Sequence, residues 1–217
     1  MPPVLDNNGN LVPLGKVQRT ITEPFLSGTL PSWLSVTGGA GVYTAPSGAS
    51  GTYPNYSIAS AATANSQAAM ASSITVNSTH LLGIIWSASL WTDGSDNNYG
   101  IALSLYGGAL GGWIGQAAGA ASGSIVANGP TRSTVLVGTA PLATANEAKS
   151  KRNISIVYVP PAREIWWMED DQVVAWQAFA SGNWGDGVLT PNITLTTAEA
   201  VSHTLYLSQV SLTICHN

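Results

Sequence analysis

The sequence predicts an all-β protein, an antiparallel β-sandwich preceded by an extended arm, on three observations. From about residue 80 onward, apolar residues recur with period two in segments bounded by turn residues. No window carries a sustained apolar stripe of period 3.6. Gly, Ala, Ser and Thr dominate a chain in which only 8% of residues are charged, so solubility rests on hydroxyls, amides and backbone. At 217 residues one domain can enclose a core, which gives residues 19–217 to the sandwich and residues 1–18 to the arm.

Each segment has its own justification. MPPVLDNNGNLVPLGK contains three prolines and little that packs, which suits an arm docked on a partner or on its own subunit. EPFLSGTLPSW, from Glu23 to Trp33, should begin the sandwich. In HLLGIIWSASLW, Leu82, Ile84, Trp86, Ala88 and Leu90 share one face, and Leu81, Gly83, Ile85, Ser87 and Ser89 the other. TDGSDNN then turns the chain, and Tyr99, Ile101, Leu103 and Leu105 line one face of a second strand antiparallel to the first. Residues 107–124 are so rich in Gly and Ala that a loop or thin edge strands anchored by Trp113 and Ile114 are expected. STVLVG near Val135 reads as a strand and TAPLATANEAKSK as a polar connection.

Ile154, Ile156 and Tyr158 alternate with Ser155, Val157 and Val159 until Pro160 and Pro161, which cannot donate to a ladder, end the strand. EIWWMEDDQVVAW follows. With Asp170-Asp171 as a two-residue hairpin loop, Trp167 faces Val174 and Ile165 faces Trp176 on one side, while Trp166 faces Ala175 and Met168 faces Val173 on the other. One of the paired tryptophans then enters the core, and the other needs a cover: a second subunit, another protein, or a long loop such as residues 36–72. In HTLYLSQVSLTI, Leu205 and Leu207 are out of phase with Val210, Leu212 and Ile214, and a bulge near Ser208-Gln209 would turn all five inward.

Composition excludes several functions. Net charge is −4, and the only basic cluster is Lys149, Lys151 and Arg152, which offers no footprint for nucleic acid. The single cysteine, Cys215, allows neither an intrachain disulfide nor a multi-cysteine metal site, and its place near the C-terminus reads as a noncatalytic thiol. His80, His203 and His216 stand apart, outside any catalytic or zinc frame, and read as strand-edge or surface residues. No run approaches the roughly 20 apolar residues of a membrane helix, and no secretory leader is read, so the four Asn-x-Ser/Thr triplets at Asn55, Asn77, Asn153 and Asn192 are taken as coincidences of composition. Oxygen ligands in DGSDNN, chiefly Asp93 and Asp96, would suit Ca2+, but the twelfth position from Asp93 is Ser104, and an Asx-type turn is expected with no cofactor.

The order of Phe25 and LPSW, RNISIVY, EIWWMEDDQVVAW and a closing LYLSQVSLTI resembles the concanavalin A-like lectin/glucanase jelly roll, including laminin-G-type modules, over roughly residues 20 to 215. The resemblance implies a lectin-like sandwich. Glucan hydrolases of that family carry Glu-x-Asp-x-(x)-Glu on one strand. Here Trp166 replaces the Asp, and Glu164 and Glu169, five apart, fall on opposite faces, so no catalytic residue and no enzyme is expected. The arm, the composition and the absent leader also look like a bacteriophage virion protein, which implies assembly in the host cytoplasm and a place on the virion surface.

These readings point to recognition of neutral surfaces. Trp91 and Tyr99 bracket DGSDNN, and Trp184 with Asp186 lies in SGNWGDG, so these rings would stack on sugars while Asp93, Asn97, Asn98 or Asp186 bond hydroxyls. In the competing reading, Trp91 and Trp184 cap the core. Trp166, Met168 and Val173 form the expected assembly surface of a homo-oligomer, with the arm holding other virion proteins. The function expected is tail-associated adhesion to host-surface glycan. The alternatives are a capsid decoration or head-fibre protein and a free carbohydrate-binding module.

Overall fold

The computed structural model describes residues 17–44, 55–77, 81–92, 98–107, 110–116, 125–129, 132–136, 151–178 and 188–216, with backbone alone for 106–136. The expected arm falls outside these residues except for its last two, which open the first strand. The strands are β1 (Val17–Glu23), β2 (Leu34–Thr37), β3 (Ala40–Thr44), β4 (Asn55–Ala59), β5 (Gln67–Ser72), β6 (Val76–Asn77), β7 (Leu81–Thr92), β8 (Tyr99–Gly107), β9 (Leu110–Gln116), β10 (Ile125–Gly129), β11 (Arg132–Leu136), β12 (Arg152–Val159), β13 (Glu164–Glu169), β14 (Gln172–Ala178), β15 (Val188–Thr197) and β16 (Thr204–His216). They form two antiparallel sheets. One runs β14-β13-β12-β7-β16-β4-β3, with β1 also on β16; the other runs β11-β10-β9-β8-β15-β5-β2, with β6 on β15.

The core lies between the sheets. Ile84, Trp86, Ala88 and Leu90 of β7 meet Ile101, Leu103 and Leu105 of β8, with Ile154, Ile156 and Tyr158 of β12 beside them. The Trp86 Nε1–H donates to the Asn192 carbonyl across the gap at 3.2 Å, tying one sheet to the other. At about 1.5–3 kcal/mol for each large apolar side chain buried, this layer is the main source of stability.

The closing strand behaves as its sequence predicts. The register of β16 on β7 shifts between Leu207 and Gln209, and Leu205, Leu207, Val210, Leu212 and Ile214 all reach the core. A second shift, at Leu82, turns Leu81 inward instead of Leu82. Asp170 and Asp171 form the two-residue turn with φ of 45° and 65°, the doubly positive φ of a type I′ hairpin.

Three expectations are corrected. The described parts of residues 36–72, which are 36–44 and 55–72, are not a covering loop, because they contribute strands to both sheets: Ala68 and Met70 of β5 are buried at period two, and β4 pairs with β16. Leu110–Gln116 is a strand hydrogen-bonded to β8 and β10, two strands in from the edge, since a ladder needs only backbone donors and acceptors. Within the hairpin, Met168 faces Val173 as expected, but a bulge at Val174 sets Trp167 against Ala175, Trp166 against Trp176 and Ile165 against Gln177. Both Val174 and Ala175 pack on the core, which is what the extra residue achieves.

Candidate functional site

The outer face of the first sheet is built in cross-strand rows, because side chains on one face of neighbouring strands stand opposite each other. At one end Trp91 faces Tyr206, and their rings stack 5.4 Å apart and 9° from parallel. The next row is Asn153, Ser89 and Gln209, and the one after is Met168, Ser155, Ser87 and Ser211. Then come Trp166, Val157, Ile85 and Thr213, in which Trp166, Val157 and Ile85, joined by Val159, form a small apolar cluster. Four serines therefore lie between bulkier rows.

Small side chains between large ones leave a depression. It encloses a volume of about 240 Å³, floored by Ser87, Ser89, Ser155 and Ser211, with Asn153, Gln209 and Asp171 on the polar side and Ile85, Val157 and Met168 on the other. The Ser89 hydroxyl donates to the Asn153 side-chain carbonyl, and the Ser87 hydroxyl to the Ser211 carbonyl at 3.4 Å. The turn is tied to the same strand: the Asp170 N–H donates to the Asn153 carbonyl at 2.7 Å, and the Asn153 N–H to Asp170 Oδ1 at 3.0 Å. Among the described residues no lysine or arginine lines the depression.

The carboxylates of β13 separate as the odd spacing requires. Glu164 lies with Trp166 on the outer face and accepts its Nε1–H at 2.9 Å. Glu169 lies on the opposite side, 3.5 Å from Arg152 Nε, while Arg152 Nη1 is 3.5 Å from Asp170 Oδ2. Burial pushes the Glu169 carboxyl above its usual range; Arg152 pulls it back and Asp170 adds to the rise. The two glutamates do not face a common substrate position.

The residues expected to bind sugar are placed differently. Trp91 retains 5% of its surface and stacks on Tyr206; Tyr99 retains none, packs in the core and shares a 2.7 Å hydrogen bond with Thr92. Neither ring offers an open face, because strand alternation sends Tyr99 into the sandwich and sets Trp91 against Tyr206. Asn98 is exposed, and its Nδ2 donates to Glu199 at 3.1 Å. Asp93, Asp96, Asn97, Trp184 and Asp186 lie outside the described residues, as does His80. Among the described residues no cluster of His, Cys, Asp and Glu could hold a metal.

His203 is a further correction, since it keeps only 4% of its surface exposed and is not at the surface. Its ring lies 4.6 Å from the Tyr99 ring, and its Nε2 is 3.2 Å from Glu199. Tyr99, His203, Glu199 and Asn98 thus bind the β15–β16 loop to the start of β8. Cys215 is buried within β16, and burial pushes its thiol up, away from reactive thiolate. Of the expected assembly residues, Trp166 is 7% exposed and covered within the protomer, Met168 is half-buried, and Val173 is 45% exposed. The exposed ring is Trp176, at 47%.

No protein-family model matches the chain, and no curated protein sequence is significantly similar to it. Solved structures do share its architecture. The Emp47p carbohydrate recognition domain superposes with a TM-score of 0.62 at 8% identity, over 91% of this chain and 95% of that one. The lectin from Bauhinia forficata in complex with GalNAc gives 0.62 at 9% identity, over 93% and 100%. The fold is concanavalin A-like. The apo Crh5 transglycosylase shares it too, with a TM-score of 0.59 at 14% identity over 91% and 84%, so the concanavalin A-like sandwich by itself does not separate binding from catalysis.

Proposed function

We propose that the chain is a non-enzymatic, lectin-like adhesion protein that binds a neutral glycan in the serine-floored depression on the outer face of the first sheet. The observation that carries this reading is the lining itself. Hydroxyls and amides converge beside an aliphatic and thioether wall with no cation among the described lining residues, which is the chemistry that neutral sugars need. A non-enzymatic role is supported by the separated glutamates and by the engagement of Glu164 with Trp166. The structurally similar proteins include a carbohydrate recognition domain and a lectin, which favours the binding class for this chain.

The biological setting is a virion surface. The composition and the proline-bearing arm favour a homo-oligomeric, tail-associated bacteriophage protein, attached to other virion proteins through residues 1–18 and facing host glycan. A second reading, capsid decoration, is favoured by the exposed Val173 and Trp176 on β14, an edge strand suited to joining copies.

The test is binding of labelled protein to intact bacterial cells and to a glycan panel, with Ser87→Trp to fill the depression and Trp91→Ala beside it. Saturable binding lost in Ser87→Trp supports the adhesion site. A folded wild type that binds neither cells nor any glycan removes that site and leaves the decoration reading. A free carbohydrate-binding module would bind equally well without residues 1–16, a deletion that leaves β1 whole.

A further inference from the structure

The depression is not polar throughout, and the direction in which its polarity changes narrows the sugar. Along the strands, the Asn153–Ser89–Gln209 row comes first, the Ser155–Ser87–Ser211 row second, and the Val157–Ile85 row third. Residues two apart on a strand stand about 7 Å apart, so the lining passes from amide to hydroxyl to hydrocarbon over roughly 14 Å, and in the last row Ile85 keeps 7% of its surface while Val157 is fully buried. Met168, beside Ser155, adds a thioether at the apolar end. Among the described residues the Ser155 hydroxyl and the Gln209 amide have no side-chain hydrogen bond, so both are open to a ligand.

A plain hexose carries hydroxyls around its rim and would set one of them against Ile85 and Met168, where nothing answers it. A sugar whose 2-hydroxyl is replaced by an acetamido group matches both ends. Its methyl needs an apolar surface, its N–H and carbonyl need hydroxyl or carboxylate partners, and its remaining hydroxyls need amides. The volume of about 240 Å³ is below the roughly 300–1,000 Å³ of sites for larger ligands, which fits one ring at a time. Charge narrows the choice further. Asp171 stands at the rim, and Arg152, the cation of β12, is taken up by Glu169 and Asp170. An acidic sugar would meet a like charge and no counter-charge.

We infer that the depression selects a neutral N-acetylated hexosamine, with the acetamido methyl against Met168 and the accessible edge of Ile85 and the hydroxyls over Asn153, Ser89 and Gln209. The inference rests on the proposed glycan-binding site and specifies its ligand.

The experiment is a titration of the full chain, followed by NMR, with N-acetylglucosamine, N-acetylgalactosamine, glucose, galactose and N-acetylneuraminic acid. At least one neutral N-acetylated sugar should bind about tenfold more tightly than its parent hexose, the worth of a buried methyl and a hydrogen bond. N-acetylneuraminic acid should bind more weakly than either, although it has the same acetamido group. Met168→Ala should cut the preference to roughly two- to threefold, and Met168→Leu, which keeps the fold and the apolar wall, should retain it. Asp171→Asn should strengthen binding of the acidic sugar alone.

Equal affinities for N-acetylated and plain sugars, or a preference unmoved by Met168→Ala, overturns the inference. If the chain binds cells or other glycans while showing no such preference, the ligand assignment falls and the adhesion site stands. If a folded chain binds no sugar at all, both fall together.

Discussion

Trp86 and Trp167 are both fully buried, yet only Trp86 has a partner for its N–H. The Trp86 indole donates to the Asn192 carbonyl across the core, whereas the Trp167 Nε1 has no hydrogen-bond acceptor. A buried unpaired donor costs about 1–3 kcal/mol, so Phe at the two positions should have unequal effects. Trp86→Phe loses volume and the hydrogen bond across the core, although the Asn192 carbonyl keeps the Ser104 hydroxyl at 3.3 Å; Trp167→Phe loses the same volume but also removes the unpaired N–H. Chemical denaturation should find Trp86→Phe less stable than Trp167→Phe by roughly 1–3 kcal/mol. A second residue gives a pH signature. Burial pushes the Tyr158 phenol up to about 12 from an ordinary 10.0. Below pH 10 the proton is held in both the folded and unfolded chain, and the full stability is present. As pH rises through the window from about 10 to about 12, the unfolded phenol ionises first, so stability is lost. Tyr158→Phe should flatten that part of the alkaline unfolding curve.

The β13–β14 hairpin shows how far an element can be read before folding. Alternation and the Asp-Asp pair define two strands and a tight turn, and that turn forms with both residues at positive φ. The bulge at Val174 was not legible, because a run of apolar residues, VVAW, fits either register and only the core decides which pair turns inward. In β16 the bulge was legible, since five large apolar residues change phase in a strand whose other positions are mainly polar. Positive φ disfavours any residue with a Cβ, so Asp171→Gly should raise stability by about 1 kcal/mol, read as a higher denaturation midpoint with an unchanged slope. Asp170→Gly should gain less or lose, because Asp170 also accepts the Asn153 N–H and pairs with Arg152.

At the scale of the molecule, the sandwich was legible and the depression was not. Period-two strands can be read locally, but the serine floor draws on β7, β12 and β16, and a serine carries no local sign of the row it will join. Aromatic residues drew attention to Trp91 and Tyr99 because rings stack on sugars, yet the same rings fill space, and in this sandwich they are buried. The edge of the first sheet is a separate surface. β14 ends the sheet among the described residues and carries Val173 and Trp176 exposed, and a bare edge with apolar side chains favours pairing between copies. Trp176 is not part of the depression lining. Trp176→Lys should therefore shift sedimentation toward the monomer, with a lysine on the edge strand opposing pairing, while glycan affinity per subunit is unchanged. On a cell surface the same variant should bind more weakly, because linked sites gain avidity that single sites lack. Sedimentation that does not respond to Trp176→Lys would remove β14 as the joining surface, and with it the observation that favours capsid decoration.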